Sequence, residues 1–279
     1  MSEKLEVKKI YVDTRFKSSG SKSESDFTID LPRQVNVPEN TVAYIDDIVL
    51  PVTWTAVNAS NMWIYVNVFY SGGNHSWYNS LAEGNYTGTS LANVLQTKFN
   101  ATMVGGSVPI TFTIAYDAVQ NRIGFSIEDT RVTPTGTMLV TIFDDESVQL
   151  GKWFNNPAPL PRSCNRIIGL RNTVTITEST PFYGMLDLHT TRNLYLVSSA
   201  LASYDIISNF GMDTVIKKIP VRAGYNDILF DNASEGFDFL NVSRRSLRTV
   251  DFRLVDSYFN TIDLRRNHWS FSIIFQIQN

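Results

Sequence analysis

The sequence predicts a mainly-β protein, a sandwich or barrel interrupted by a small α+β module. Three observations predict it. First, the stretch Leu247 to Gln278 holds two period-two runs. Val250, Phe252 and Leu254 alternate with Asp251 and Arg253. Trp269, Phe271, Ile273, Phe275 and Ile277 share one parity, with Ser270, Ser272, Gln276 and Gln278 on the other. These runs read as antiparallel neighbours in a sheet that buries one side. Second, short runs of the same kind recur along the chain, punctuated by Pro and Gly. Third, aromatics make up 12% of the residues, which suits thick β cores and packed interfaces.

Taken in order, residues 1–26 read as a polar N-terminal arm. It carries one short alternating piece, Ile10-Tyr-Val, and a linker-like run, Ser18-Ser-Gly-Ser-Lys-Ser-Glu-Ser. Its positive and negative charges nearly cancel, so it lacks the basic excess of a nucleic-acid packaging arm. Phe27-Thr-Ile-Asp-Leu alternates and is expected to stop at Pro32, which cannot continue a central ladder. Val42 to Leu50 is a second strand. Trp63 to Tyr70 is a third, closed by Ser71-Gly-Gly-Asn.

The pattern then changes. In Ser90-Leu-Ala-Asn-Val-Leu-Gln-Thr-Lys-Phe-Asn, the residues Leu91, Val94, Leu95, Phe99 and Met103 fall on one helical face. Thr89 or Ser90 is the expected N-cap. Phe112–Tyr116 and Arg122–Ile127 flank Asp117-Ala-Val-Gln-Asn as a hairpin. Met138–Phe143 is a further strand, and Asp144–Leu150 a short helix. Residues 80–175 therefore read as the inserted α+β module, with residues 27–79 and 176–279 as the two parts of the β frame. The second part resumes with strands at Thr173–Thr177, Asn193–Val197, Val215–Pro220 and Asp227–Phe230. No repeat at a fixed period is present.

Bulk numbers exclude several function classes. A net charge of -3 gives no general pull toward nucleic acid or anionic membrane. No apolar run is long enough for a membrane span, and the charged start, Met1-Ser-Glu-Lys, does not read as a signal peptide. These features imply synthesis in the cytosol. The single cysteine, Cys164, permits neither an intramolecular disulfide nor a cysteine zinc cluster.

Candidate chemistry is sparse. His75, His189 and His268 are far apart in sequence, unlike the close spacing of a cupin-type metal site. Asp46 and Asp47 are expected to point to opposite faces of their strand, so they cannot both line one cleft. Asp144-Asp145-Glu146 reads as the negative first turn of a helix, not as a glycosidase pair. Cys164 has no base near it and reads as a small buried hydrophobe. No glycine-rich phosphate loop and no nucleophile elbow appear. Arg244, Arg245, Arg248, Arg253, Arg265 and Arg266 outnumber Asp251, Asp256 and Asp263. They read either as a solvated face with cross-strand pairs of Asp251 and Arg253 with neighbours, or as a contact for a negatively charged partner, whether protein or packaged genome.

Four places in the chain, taken in order, resemble the penton (minor capsid) proteins of virophages and Polinton-like viruses. They are Asp26-Phe-Thr-Ile-Asp-Leu-Pro with Val42-Ala-Tyr-Ile-Asp-Asp-Ile-Val-Leu-Pro-Val-Thr-Trp; Gly84-Asn-Tyr-Thr-Gly-Thr-Ser-Leu-Ala-Asn-Val-Leu with Arg166-Ile-Ile-Gly-Leu; Arg192-Asn-Leu-Tyr-Leu-Val-Ser-Ser-Ala-Leu with Lys217-Lys-Ile-Pro-Val; and Val250-Asp-Phe-Arg-Leu-Val-Asp with Ile262-Asp-Leu and Trp269-Ser-Phe-Ser-Ile. One departure is Arg265-Arg-Asn-His at the end of the final hairpin, where the family pattern contains glycine. The resemblance implies a single jelly roll, standing upright in the shell as a homopentamer at each fivefold vertex of an icosahedral virion. Major capsid protein would surround it. The resemblance implies neither catalysis nor a cofactor.

On this reading Tyr11, Arg15, Phe16 and Lys17 of the arm are expected to touch neighbouring capsomers, and Trp77 and Tyr78 to form an outer contact on the module. The alternative is a carbohydrate- or receptor-binding jelly-roll head, with Trp63, Trp77, Tyr78 and Trp153 as its aromatic platform.

Overall fold

A computed structural model describes residues 7–71, 73–134, 136–150, 163–201, 215–232 and 239–278. Trp153 and the first six residues of the expected arm lie outside the described residues. The chain divides into two compact units, one of Met1–Trp54 with Thr191–Asn279 and one of Thr55–Thr190.

The first unit starts with strands β1 (Val7–Asp13), β2 (Asp26–Asn36) and β3 (Thr41–Pro51). The second unit follows, with β4 (Trp63–Tyr70), β5 (Gly73–Ser80), α1 (Gly88–Gly105), β6 (Ile110–Asp117), β7 (Arg122–Asp129), β8 (Leu139–Ile142), α2 (Asp145–Gln149), β9 (Val174–Ile176) and β10 (Phe182–Met185). The first unit then resumes with β11 (Asn193–Val197), β12 (Val215–Pro220), β13 (Ile228–Asp231), β14 (Leu240–Asn241), β15 (Ser246–Val255) and β16 (Ser270–Ile277).

In the first unit one sheet has the order β1-β16-β3-β13, with β14 also on β3, and the other β12-β11-β15-β2. Setting aside the short β14, the strands number one to eight along the chain. The orders become first-eighth-third-sixth and fifth-fourth-seventh-second, which is the connectivity of a jelly roll. The α+β unit is inserted between its third and fourth strands.

This topology corrects the reading of the C-terminal runs. β15 and β16 are not neighbours in one sheet; they lie in opposite sheets and meet face to face. Phe252 on β15 and Phe271 on β16 have ring centroids 5.0 Å apart. Phe27 lies 5.5 Å from Phe252 and 6.0 Å from Trp269, which stacks on Phe271 at 4.9 Å. Four rings thus close a circuit through the sandwich core. Alternation shows that a strand buries one face but leaves open what covers that face, and here the Asp256–Trp269 connection carries the chain across.

The polar arm is also corrected. Val7–Asp13 is the jelly roll's first strand, in register with Gln276 back to Ser270. Val12 is buried and Ile10 packs against the same core. The strand looks polar because it is an edge strand, where lysines protect an open ladder. The serine run behind it is fixed, not linker-like. Ser18 donates its N–H to Thr28 O and its Oγ–H to Asp30, while Trp269 Nε1 donates to Glu24 O at 2.7 Å.

β2 does not stop at Pro32. It runs to Asn36 with an irregularity: Asp30 opposes Thr249 and Val35 opposes Leu247, so residues 31–34 face Arg248 alone. β2 is an edge strand, and a proline at an edge bulge removes no needed ladder bond.

The second unit has a four-stranded sheet, β5-β4-β8-β9, and a three-stranded sheet, β10-β7-β6. The expectation placed β4 with the jelly roll and began the module at residue 80. Instead β4 pairs with β5 and β8, and its Ile64, Val66 and Val68 join the core formed with α1. The compact unit accordingly runs from Thr55 to Thr190. Helix α1 buries Leu91, Ala92, Leu95, Phe99 and Met103. Its cap is Thr87, not Thr89 or Ser90: Thr87 Oγ1 accepts from Ser90 N and Ser90 Oγ accepts from Thr87 N, a reciprocal capping box. Gly88 opens the helix because a Cβ there would stand 2.5 Å from the Tyr116 ring.

Candidate functional site

The side chains expected to make outer contacts fall on two surfaces, one in each unit. In the jelly roll, β1 passes into a 3₁₀ turn (Thr14–Phe16) capped by the Asp13 carboxylate, which accepts from Arg15 N. Tyr11 and Phe16 are 76% and 78% exposed, unusually bare for large rings. Arg15 is exposed and chelates Asp13 through Nε and Nη2, and the guanidinium holds the Asp13 carboxyl below the usual carboxylate range. Lys17 differs: it is half-buried and bonded to Glu24 at 2.8 Å, so it serves the loop itself.

Beside Tyr11 lies an unanticipated cluster. Asp46 and Asp47 form a bulge in β3. Phe271 pairs with Ile48 and Ile273 with Ile45, so the two aspartates oppose the single residue Ser272. The bulge turns both carboxylates to one face, against the expectation of opposite faces. Lys9 Nζ lies 2.6 Å from Asp46 and 3.9 Å from Asp47, and buried Ser272 donates to Asp47. Lys9 also sits over the Tyr11 ring, 5.1 Å from its centroid. With a lysine ammonium between them, the carboxylates form a paired, solvent-facing network and not an acid/base pair across a cleft.

In the inserted unit, consecutive positions on β5 send Trp77 and Tyr78 to opposite sides. Trp77 packs against the unit's own core, so it is not part of an outer platform. Tyr78 is 55% exposed and lies 5.1 Å from Trp63, edge to face, and 6.4 Å from Tyr65. The exposed ring is therefore Tyr78, set against the partly buried Trp63 and the buried Tyr65. Period-two reading of β4 and β5 could have found it, but the polar sequence Gly73-Asn-His-Ser hid β5.

The remaining candidates have structural roles. Asp144 caps α2: its Oδ1 accepts from Ser147 N and its Oδ2 from Thr173 N, both at 2.6 Å. Burial pushes its carboxyl up, but these donors outweigh burial and hold it below the usual range. Asp145 accepts from Ser163 Oγ and Asn165 Nδ2. Cys164 is fully buried, and burial pushes its thiol up to about 12, out of nucleophilic range. His75 stacks on Tyr70, His189 bonds through its backbone to Asp187, and His268 contacts Thr14. Among the described residues no group of three His, Cys, Asp or Glu side chains is arranged to hold a metal ion. No helix among them is long and apolar enough to cross a membrane.

Two of the excess arginines have close local partners. Arg244 pairs with Glu39 at 2.6 Å, and Arg245 donates to Ala200 O. Asp251 accepts from Ser199 and Ala200 N–H groups. Arg265 and Arg266 both adopt left-handed backbone, φ 50° and 63°. Asn267 N donates to Leu264 O, closing a tight turn around them. Two consecutive positive φ values are what glycine supplies without strain, so this chain forms with arginines a turn that favours glycine.

Among the described residues, an eight-stranded jelly roll with an α+β unit between its third and fourth strands defines the structural class of this chain. Within that class the chain is similar to the mavirus penton protein. A crystal structure of that protein aligns with a TM-score of 0.51 at 8% sequence identity, over 96% of this chain and 99% of the other. The likeness establishes the shared fold. No family model matches the sequence, and no curated protein matches it.

Proposed function

We propose that this chain is a capsid vertex protein: five copies form a homopentamer that closes a fivefold vertex of an icosahedral virion, with major capsid protein around it. One observation carries the reading. The fold likeness spans both units, covering almost the whole of each chain and not the jelly roll alone. A jelly roll by itself serves many functions; a jelly roll with an inserted unit matched end to end is a narrower class. On this reading the protein is not an enzyme and needs no cofactor. It is made and assembled in the host cytoplasm and ends in the virion. The experiment is native mass spectrometry of the purified protein, together with labelling of particles. A mass near five times 31.5 kDa, or label at fivefold axes, is expected. A trimer, or exclusion from particles, overturns the reading.

A second reading is favoured by the exposed Tyr78 with its neighbour Trp63. Edge-packed aromatics with one ring open to solvent suit contact with a sugar face or a host surface. Glycan-array binding that Tyr78→Ala abolishes supports it; an array blank for both proteins removes it.

A further inference from the structure

We infer that the two open edges of the β1-β16-β3-β13 sheet are the two halves of the contact between neighbouring copies, β1 of one copy docking against β13 of the next. The inference rests on the vertex reading and says which surfaces build the ring.

The jelly-roll unit exposes seven large apolar side chains among its described residues: Val7, Tyr11, Phe16, Tyr225, Ile228, Phe230 and Tyr258. All but Tyr258 belong to those two edges. Val7 and Tyr11 lie on β1, and Phe16 follows directly. Ile228 and Phe230 lie on β13, and Tyr225 leads into it. The partition within each strand is sharp. Leu229 is 3% exposed and points to the core, while Phe230 beside it is 73% exposed. The β13 alternation is therefore apolar on both faces. A central strand shows that pattern when both faces are covered, yet among the described residues β13 pairs only with β3. An open edge that also presents apolar side chains is an aggregation site unless a partner covers it.

The partner that fits is a second copy of this chain. The two patches differ and occupy opposite borders of one sheet, as a head-to-tail contact requires; a twofold contact would use one patch twice. They are also opposite in charge. From Val7 to Lys17 the chain carries Lys8, Lys9, Arg15 and Lys17 against Asp13. From Ala223 to Asn232 it carries Asp227 and Asp231 with no cation. Lys9, Arg15 and Lys17 already have partners at home, so charge orients the approach and apolar burial supplies most of the attraction. Strand direction agrees as well. β1 and β13 are each separated from β3 by antiparallel pairings that leave them antiparallel to one another. Rotation about an axis along the strands preserves that relation, so edges of adjacent copies meet in the sense the sheet already uses.

The test uses the full chain with Tyr11→Asp, Phe230→Asp, and the double variant Tyr11→Cys with Phe230→Cys. Both wild-type side chains are mostly in solvent, so each variant is expected to fold, which circular dichroism checks. Each aspartate variant is expected to lose the pentamer in native mass spectrometry and its place in particles. The double cysteine variant, treated with a flexible bis-maleimide, is expected to give a covalent ladder reaching five chains. Either cysteine alone gives none, since Cys164 is buried. Pentamers that survive both aspartate substitutions overturn the edge assignment and leave the vertex reading standing. A single cysteine variant that links to itself does the same, because it reports a twofold contact. A wild-type chain that never forms pentamers, free or in particles, overturns both.

Discussion

The two units are built from different kinds of pairing. In the inserted unit β4 pairs with β5 and β6 with β7, each across a short turn, and α1 packs on the strand that follows it. In the jelly roll β1 pairs with β16, β2 with β15 and β3 with β16, so most ladders join the two ends of the unit. Local pairings close cheaply and early; distant ones require ordering everything between. The inserted unit therefore stands on its own contacts, while the jelly roll is complete only when β16 takes its place between β1 and β3.

The most severe way to break this contrast is to delete Ser270–Gln278. The jelly roll should unfold entirely while amides of α1, β6 and β7 stay protected in hydrogen exchange. Loss of protection in both units together would show that they fold as one. A smaller perturbation is Phe252→Ala, which removes one member of the four-ring circuit. It should lower stability by about 3–5 kcal/mol in urea unfolding. Phe99→Ala, deep in the inserted unit, should cost about as much but leave jelly-roll exchange unchanged.

A third probe is acid. In the inserted unit Arg131 chelates Asp129, with side chains 9% and 7% exposed, and holds the Asp129 carboxyl below the usual carboxylate range. A depressed carboxylate stabilises the fold above its ordinary value, about 3.9, and that contribution is lost as pH falls through the lower folded value. Arg131→Met should therefore weaken the inserted unit most at neutral pH, with the difference from wild type shrinking below about pH 4. Urea midpoints at pH 3 and pH 7 would measure it. The smallest effect has the opposite sign. Arg266→Gly relieves a left-handed backbone and should stabilise the jelly roll by about 1 kcal/mol, read from its chemical denaturation.

The same contrast explains what was legible. The hairpin around Asp117–Asn121, helix α1 and the short helix after Asp144 are all visible in sequence because their signals and their partners are close together. For β15 and β16 the strands were legible and the pairing was not. Period-two alternation names the buried face, not the sheet that covers it. β1 was missed because an edge strand carries lysines, and β5 because its side chains are largely polar. Trp77 and Tyr78 looked like one surface because both are aromatic, although adjacent positions of an unbulged strand such as β5 point to opposite sides. Of the arm residues, Tyr11, Arg15 and Phe16 are exposed as a contact surface needs, and Lys17 is committed to Glu24. The jelly roll itself came from the resemblance, since no local pattern encodes an order such as first-eighth-third-sixth.

The bulge at Asp46–Asp47 has a consequence for how this strand can vary. Before it, Thr41, Ala43 and Ile45 face inward; after it, Ile48 and Leu50 do. The extra residue switches the inward set from odd to even positions. Substituting either aspartate changes a surface charge. Removing either aspartate by an in-frame deletion would heal the bulge, leaving one carboxylate opposite Ser272 and Ala43, Ile45, Ile48 and Leu50 all still inward, whereas deleting a residue elsewhere in β3 would reverse inside and outside beyond the gap. The bulge is thus the one point in this buried strand where length can shrink by a residue without turning the core outward.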